Sequence, residues 1–270
     1  MTFLKTKDGF NIYYEFLKRD KHKLVLIFVH GWMMNWTCFK KEIEHFKRKG
    51  HSVLYLDLRG HGKSDKPEQK KDYSLHKMQD DLFQILKKEK IKEIILIGHS
   101  MGGMVSALFT LKHQKIIKKL ILIDSSYKNP FFSLRIPLTK KHVDFAKMIG
   151  NFATKKSEIS KHFKQIKDLD FSKMEDKAEI KIVFDAIINT PLHVVFGALE
   201  AMFDYDLTNR LKEIKKPVLV IGSSMDHLFS KKIQSSMSEK LNAKLTIKKG
   251  THAIIIKKPE EIIKEIETFI

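Results

Sequence analysis

Apolar positions fall along the chain in two alternating patterns. Short continuous apolar runs occur at Leu24–Val29, Ser52–Leu56, Glu93–Gly98, Lys119–Asp124 and Pro217–Ile221, with a shorter one at Leu245–Ile247. Runs of this length predict strands buried on both faces of a sheet. Phe10–Phe16 mixes aromatic and β-branched residues and predicts a further strand. Between the runs lie segments with helical spacing, at about 36–49, 74–90, 100–113, 231–242 and from Pro259 onward. Gly50 stands where a residue just past a helix end belongs, and Ser74 where an N-cap belongs. Strand and helix in alternation predict an α/β fold, with a mostly parallel central sheet flanked by helices on both faces.

The pattern changes from about Ser126 to Asp206, where no strong strand run appears. Phe145, Met148, Ile149 and Phe152, then Phe163 and Ile166, recur at spacings near three and four, as on a helix face. This stretch is expected to be a helical cap, residues 127–206. Residues 1–126 and 207–270 form the core of the same domain. No internal repeat or Pro/Gly-rich linker divides the chain.

Composition narrows the classes. Of 270 residues 43% are hydrophobic, too many and too evenly spread for a disordered chain. Cys38 is the only cysteine, which excludes a disulfide scaffold. No apolar run reaches the length of a membrane-spanning helix. Met1 to Gly9 has no apolar segment of a secretory signal, so a cytoplasmic location is expected. The formal charge is +19, yet the only arginines are Arg19, Arg48, Arg59, Arg135 and Arg210, and the lysines are scattered. A nucleic-acid reader concentrates basic groups on one face and favours arginine. No specific nucleic-acid partner is expected; a monomer or homodimer is.

Ligands of open parallel sheets bind outside the carboxyl ends of the strands. At those ends stand His30-Gly31-Trp32, Asp57-Leu58-Arg59-Gly60, Gly98-His99-Ser100-Met101-Gly102-Gly103, Asp124-Ser125, Gly222 to Asp226 and Gly250-Thr251-His252. Gly98 to Gly102 is a G-x-S-x-G set between a buried strand and a helix, the setting of a nucleophile elbow. Its small flanking residues let chain approach chain and expose Ser100 at a helix N-terminus. A serine hydroxyl needs a base with a pKa near neutrality, hence a histidine. Of the thirteen histidines, His252 is placed for this role, just after the last short strand. A carboxylate must orient it. Asp226 is the first choice and Asp124, also at a strand end, the alternative. The backbone amides of Met101 and Trp32 are expected to form the oxyanion hole. Gly31, Met33, Met34 and His99 are expected around the substrate pocket, with Trp32 and Met101 adding apolar wall. Cys38 reads as a core residue. Asp57 to Ser64 reads as a loop ordered by an ion pair. No zinc-type ligand spacing and no dinucleotide fingerprint is present, so neither metal nor cofactor is expected.

These motifs together resemble the α/β-hydrolase superfamily over essentially the whole chain, and serine carboxylesterases and monoacylglycerol lipase-like hydrolases within it. The resemblance implies a helical cap inserted after the sixth strand. It also implies cleavage of a carboxylic ester, of short to medium acyl or aryl type, through an acyl-enzyme. A carbon–carbon bond hydrolase, thioesterase or perhydrolase would use the same triad, and a non-catalytic small-molecule receptor could use the same fold. Haloalkane dehalogenases and epoxide hydrolases of the superfamily carry Asp at the position of Ser100, which disfavours those activities.

Overall fold

The computed structural model describes residues 1–19, 24–129 and 190–270. Eight strands form one sheet: β1 (Thr2–Lys5), β2 (Asn11–Leu17), β3 (Leu24–Val29), β4 (Ser52–Leu56), β5 (Glu93–His99), β6 (Ile117–Ile123), β7 (Val218–Ser223) and β8 (Lys244–Lys248). Their order is β1-β2-β4-β3-β5-β6-β7-β8. β1 and β2 run antiparallel to their neighbours, and every pairing from β4 to β8 is parallel. The described helices are α1 (Lys40–Arg48), α2 (Leu75–Lys88), α3 (Met101–His113), α4 (Leu192–Ala201), α5 (Lys231–Leu241), α6 (Ile254–Lys257) and α7 (Pro259–Phe269). None is long and apolar enough to cross a membrane.

The continuous apolar runs are explained by what each face of the sheet meets. Side chains alternate across a strand. Val25, Ile27 and Val29 of β3 join a core cluster with residues of α2, α3, α4 and α5. Leu26 and Phe28 join the opposite cluster with residues of α1, α6 and α7. β5, β6 and β7 divide the same way, as with Leu120 and Leu122 against Ile121 and Ile123. Nearly every position of such a strand beyond its first residues is therefore buried, and no polar alternation survives. Ser74 caps α2 by accepting a hydrogen bond from the Lys77 amide at 3.0 Å.

The loop after β4 is ordered by a buried arginine. Arg59 is 1% exposed. Its Nε and Nη2 donate to the two oxygens of Asp81 at 2.9 and 2.7 Å, and its Nη1 and Nη2 to those of Asp8 at 2.6 and 2.9 Å. The ion pair expected in this loop exists, but its acids come from the β1–β2 turn and from α2. Asp57 instead accepts from the amides of Trp36 and Lys63, each at 2.8 Å. Replacing Arg59 with methionine strands the Asp81 carboxylate, itself 2% exposed. Removing one partner of such a buried pair costs about 3–5 kcal/mol. Urea unfolding of Arg59→Met should show a loss of this size, and a loss below about 1 kcal/mol would mean that the pair is already solvated.

Of the expected cap, residues 130–189, with Phe145, Met148, Ile149, Phe152, Phe163 and Ile166, lie outside the described residues. Its ends are described. Lys128 and Asp206 form an antiparallel bridge, and the Leu207 amide donates to the Tyr127 carbonyl at 2.7 Å. α4 is helical as expected. Val194, Ala198 and Leu199 of α4, with Tyr127, Met202 and Tyr205, are buried in the core cluster shared with α2 and α3.

Candidate active site

β5 delivers Ser100 directly onto the start of α3. Ser100 has φ 54° and ψ −123°, a left-handed backbone that is strained for a residue with a Cβ. The turn is over-determined by its neighbours. The Ser100 amide donates to the Ile123 carbonyl at 3.0 Å, and the Ser125 hydroxyl donates to the Ser100 carbonyl at 2.9 Å. A Cβ on Gly98 would lie 2.5 Å from the Gly102 carbonyl oxygen, and one on Gly102 would run into the carbonyls of Val29 and His30. The glycines are thus required by close approach, and they bring the β3 loop into backbone contact with the elbow.

β7 and β8 supply the other two groups. His252 Nε2 is 3.0 Å from Ser100 Oγ, and His252 Nδ1 is 2.8 Å from Asp226 Oδ2. The Asp226 carboxylate is fully buried. Its second oxygen accepts from the Leu228 amide at 2.8 Å and the Phe229 amide at 3.0 Å. A carboxylate only accepts, so Nδ1 carries the proton and Nε2 presents its lone pair to the serine hydroxyl. That is the tautomer a general base needs. Asp124, the alternative acid, is engaged elsewhere. Its two oxygens accept from the Ser223 amide at 2.7 Å and the Ser223 hydroxyl at 2.6 Å. Burial, with the charge of Asp226 adding, pushes its carboxyl up to about 7.

The β3 loop is held by His30, the first residue of the His30-Gly31-Trp32 run. His30 Nδ1 donates to the Gly31 carbonyl at 2.8 Å, and Nε2 accepts from the Leu58 amide at 2.9 Å. Burial keeps its pKa well below the usual histidine range, so the ring stays neutral and the two bonds persist. The Trp32 indole donates to the Val195 carbonyl of α4 at 3.1 Å. Met101, first residue of α3, has an amide without an intrahelical partner.

Two expectations for the pocket need correction. His99 is fully buried, with Nε2 2.9 Å from the His252 carbonyl oxygen, and does not line the pocket. The Met101 side chain is likewise fully buried, in the cluster under α2 and α3, so only its backbone can reach a substrate. Met34 is half-buried and packs in part on the α1-side cluster. Gly31 is buried against the elbow, while Trp32 and Met33 are half-buried. Cys38 is buried, and burial raises its thiol pKa well above the usual value, which suits a core residue and not a nucleophile.

Ligand atoms of His99, Asp124 and His252 lie within 4.8 Å of one another. Zinc bonds of about 2.0–2.1 Å would draw tetrahedral donors to roughly 3.3 Å apart. His252 and Asp124 are already committed to the hydrogen bonds above, so this trio is a poor fit to a metal.

The family model for the alpha/beta hydrolase fold matches residues 25–259. The chain belongs to the α/β hydrolase family. Among α/β hydrolases it is 25% identical to the AB hydrolase superfamily protein YisY of Bacillus subtilis over 88% of this chain and 87% of that one. It is 25% identical to the uncharacterized hydrolase YugF of the same organism, over 98% and 96%. Epoxide hydrolase 4 of Homo sapiens is 28% identical, over 50% of this chain and 38% of that protein. An esterase from Exiguobacterium antarcticum shares the fold with a TM-score of 0.81 at 22% identity, covering 99% and 98% of the two chains.

Proposed function

We propose that the chain is a serine hydrolase that cleaves carboxylic esters of short to medium acyl or aryl type. The observation that carries this reading is the chain of contacts from buried Asp226 through His252 to Ser100 Oγ, at 2.8 and 3.0 Å. Ser100 attacks the ester carbonyl while His252 Nε2 takes its proton. Asp226 holds the ring in its tautomer and stabilises the imidazolium that forms. The amides of Met101 and Trp32 donate to the oxyanion of the tetrahedral intermediate, at the N-terminus of α3 where the helix dipole also favours negative charge. His252 returns the proton to the departing alcohol. Water then enters, is deprotonated by the same imidazole, and releases the acid from Ser100. Residues 127–206 serve as the cap, and their aromatic and methionine side chains suit an acyl chain or aryl ring.

The test is a series of p-nitrophenyl esters from acetyl to lauroyl, run on purified protein beside glycerol esters and thioesters. Fluorophosphonate labelling is followed in parallel. Labelling of Ser100 with turnover highest among the shorter acyl esters is expected. Labelling without turnover of any ester would make the protein a receptor, and thioester turnover far above ester turnover would move it to the thioesterases.

A further inference from the structure

His99 is the last residue of β5 and immediately precedes the nucleophile, yet nothing in the reaction above uses its side chain. Its ring meets two of the loops that carry the chemistry, the one after β8 and the one after β3. Nε2 lies 2.9 Å from the backbone carbonyl oxygen of His252. A carbonyl can only accept, so Nε2 carries the proton and donates it. Nδ1 is then bare, and it has no hydrogen-bond partner among the described residues. It faces the β3 loop, where a Cβ on Gly31 would come within 3.0 Å of both Nδ1 and Ser100 Cβ. The His99 ring centroid is 4.9 Å from that of His252 and, edge-on, 6.5 Å from that of Phe39. Burial lowers the His99 pKa to about 3, so the neutral ring keeps its donor at neutral pH.

The loop bearing His252 follows β8, the last strand of the sheet, and the His252 side chain is 23% exposed. Its flanks are tied by bonds from the Met225 amide to the Gly250 carbonyl and from the Ile254 amide to the Thr251 carbonyl. The bond from His99 ties residue 252 itself to β5, the strand that carries Ser100. Nucleophile and base are thereby referred to one rigid element. A base displaced by about 1 Å loses on the order of 10² in rate.

We propose that His99 is a positioning residue, whose Nε2–H holds the His252 backbone so that the imidazole stays at attack distance from Ser100. This rests on the reading of Ser100, His252 and Asp226 as a serine triad. A glutamine at 99 can offer its amide N–H at nearly the reach of Nε2, whereas phenylalanine keeps the ring shape and loses the donor. His99→Phe is expected to lower kcat by about 10²-fold with KM little changed, and to slow fluorophosphonate labelling of Ser100 to a similar degree. His99→Gln should recover most of that loss. The low-field proton resonance of His252 Nδ1–H should broaden in His99→Phe and sharpen again in His99→Gln. His99→Met supplies a second donorless side chain should the phenylalanine variant fail to fold, and thermal melts establish which variants are folded. The opposite order, phenylalanine tolerated and glutamine damaging, would mean that the ring acts by packing alone and overturns the proposal. A glutamine variant as slow as folded donorless ones overturns it too. His252→Ala separates the two readings. Labelling unaffected by His252→Ala would sink the triad, while labelling lost there but untouched in His99→Phe would sink only the positioning role.

Discussion

Ser100→Ala should lower ester turnover by more than about 10⁴-fold while leaving the fold and ester binding in place. Loss of a triad member leaves only what the oxyanion donors and binding contribute, which accounts for rate losses of this order. The substitution removes one hydroxyl at an 8% exposed position and keeps a Cβ, so it adds no clash at φ 54°. The unfolding free energy should therefore stay within about 1 kcal/mol of the original, as for most changes without a cavity or a stranded polar group. The decisive measurement is single-turnover kinetics on a p-nitrophenyl ester, with a melt as control. Turnover within tenfold of the parent would remove Ser100 as the nucleophile.

The second large effect separates the two carboxylates at the site. Asp226→Asn should reduce turnover by about 10³–10⁴-fold, because an amide at 226 no longer fixes Nδ1 as the protonated nitrogen. Asp124→Asn should leave turnover within about tenfold, or about 1.4 kcal/mol, because its oxygens serve Ser223 and not the imidazole. The reverse ranking would transfer the acid role to Asp124. The same variant carries a pH signature in its stability. Asp124 keeps its proton in the folded chain up to about pH 7, whereas in the unfolded chain it releases it near pH 3.9. Over that window the folded state binds more protons, so this group's contribution to stability falls as pH rises. The stability advantage of the parent over Asp124→Asn should shrink between pH 4 and pH 8, and a difference that is flat with pH would show that the carboxyl titrates normally.

Much of this arrangement is legible in one dimension, and the parts that are not have a common cause. The runs at Leu24–Val29 and Glu93–Gly98 announce themselves because both sheet faces are covered, so hydrophobicity alone marks them. Ser100 is marked by the glycines its turn requires. β1 escapes because it is a four-residue edge strand with only Leu4 buried, too short for a period to register. The choice between Asp226 and Asp124 stays open in the sequence because both stand at strand ends; it turns on which of the two side chains the assembled sheet aims at His252. His99 is misjudged, and the acids that pair with Arg59 go unrecognised, for the same reason. The position of each is plain, but the partners are 153 residues away for His99, and 51 and 22 for Arg59. Side-chain direction across such separations is fixed by the assembled sheet.

The bridge between Lys128 and Asp206, backed by the bond from the Leu207 amide to the Tyr127 carbonyl, gives the chain a single doorway. The polypeptide leaves the sheet and re-enters it at one spot, so the strand register on either side does not depend on how long the excursion is. Closing a longer excursion costs little, since the entropy grows only with the logarithm of its length. Selection can then change the length of what lies beyond the doorway while the elbow, the imidazole and the carboxylate stay on the sheet that carries them.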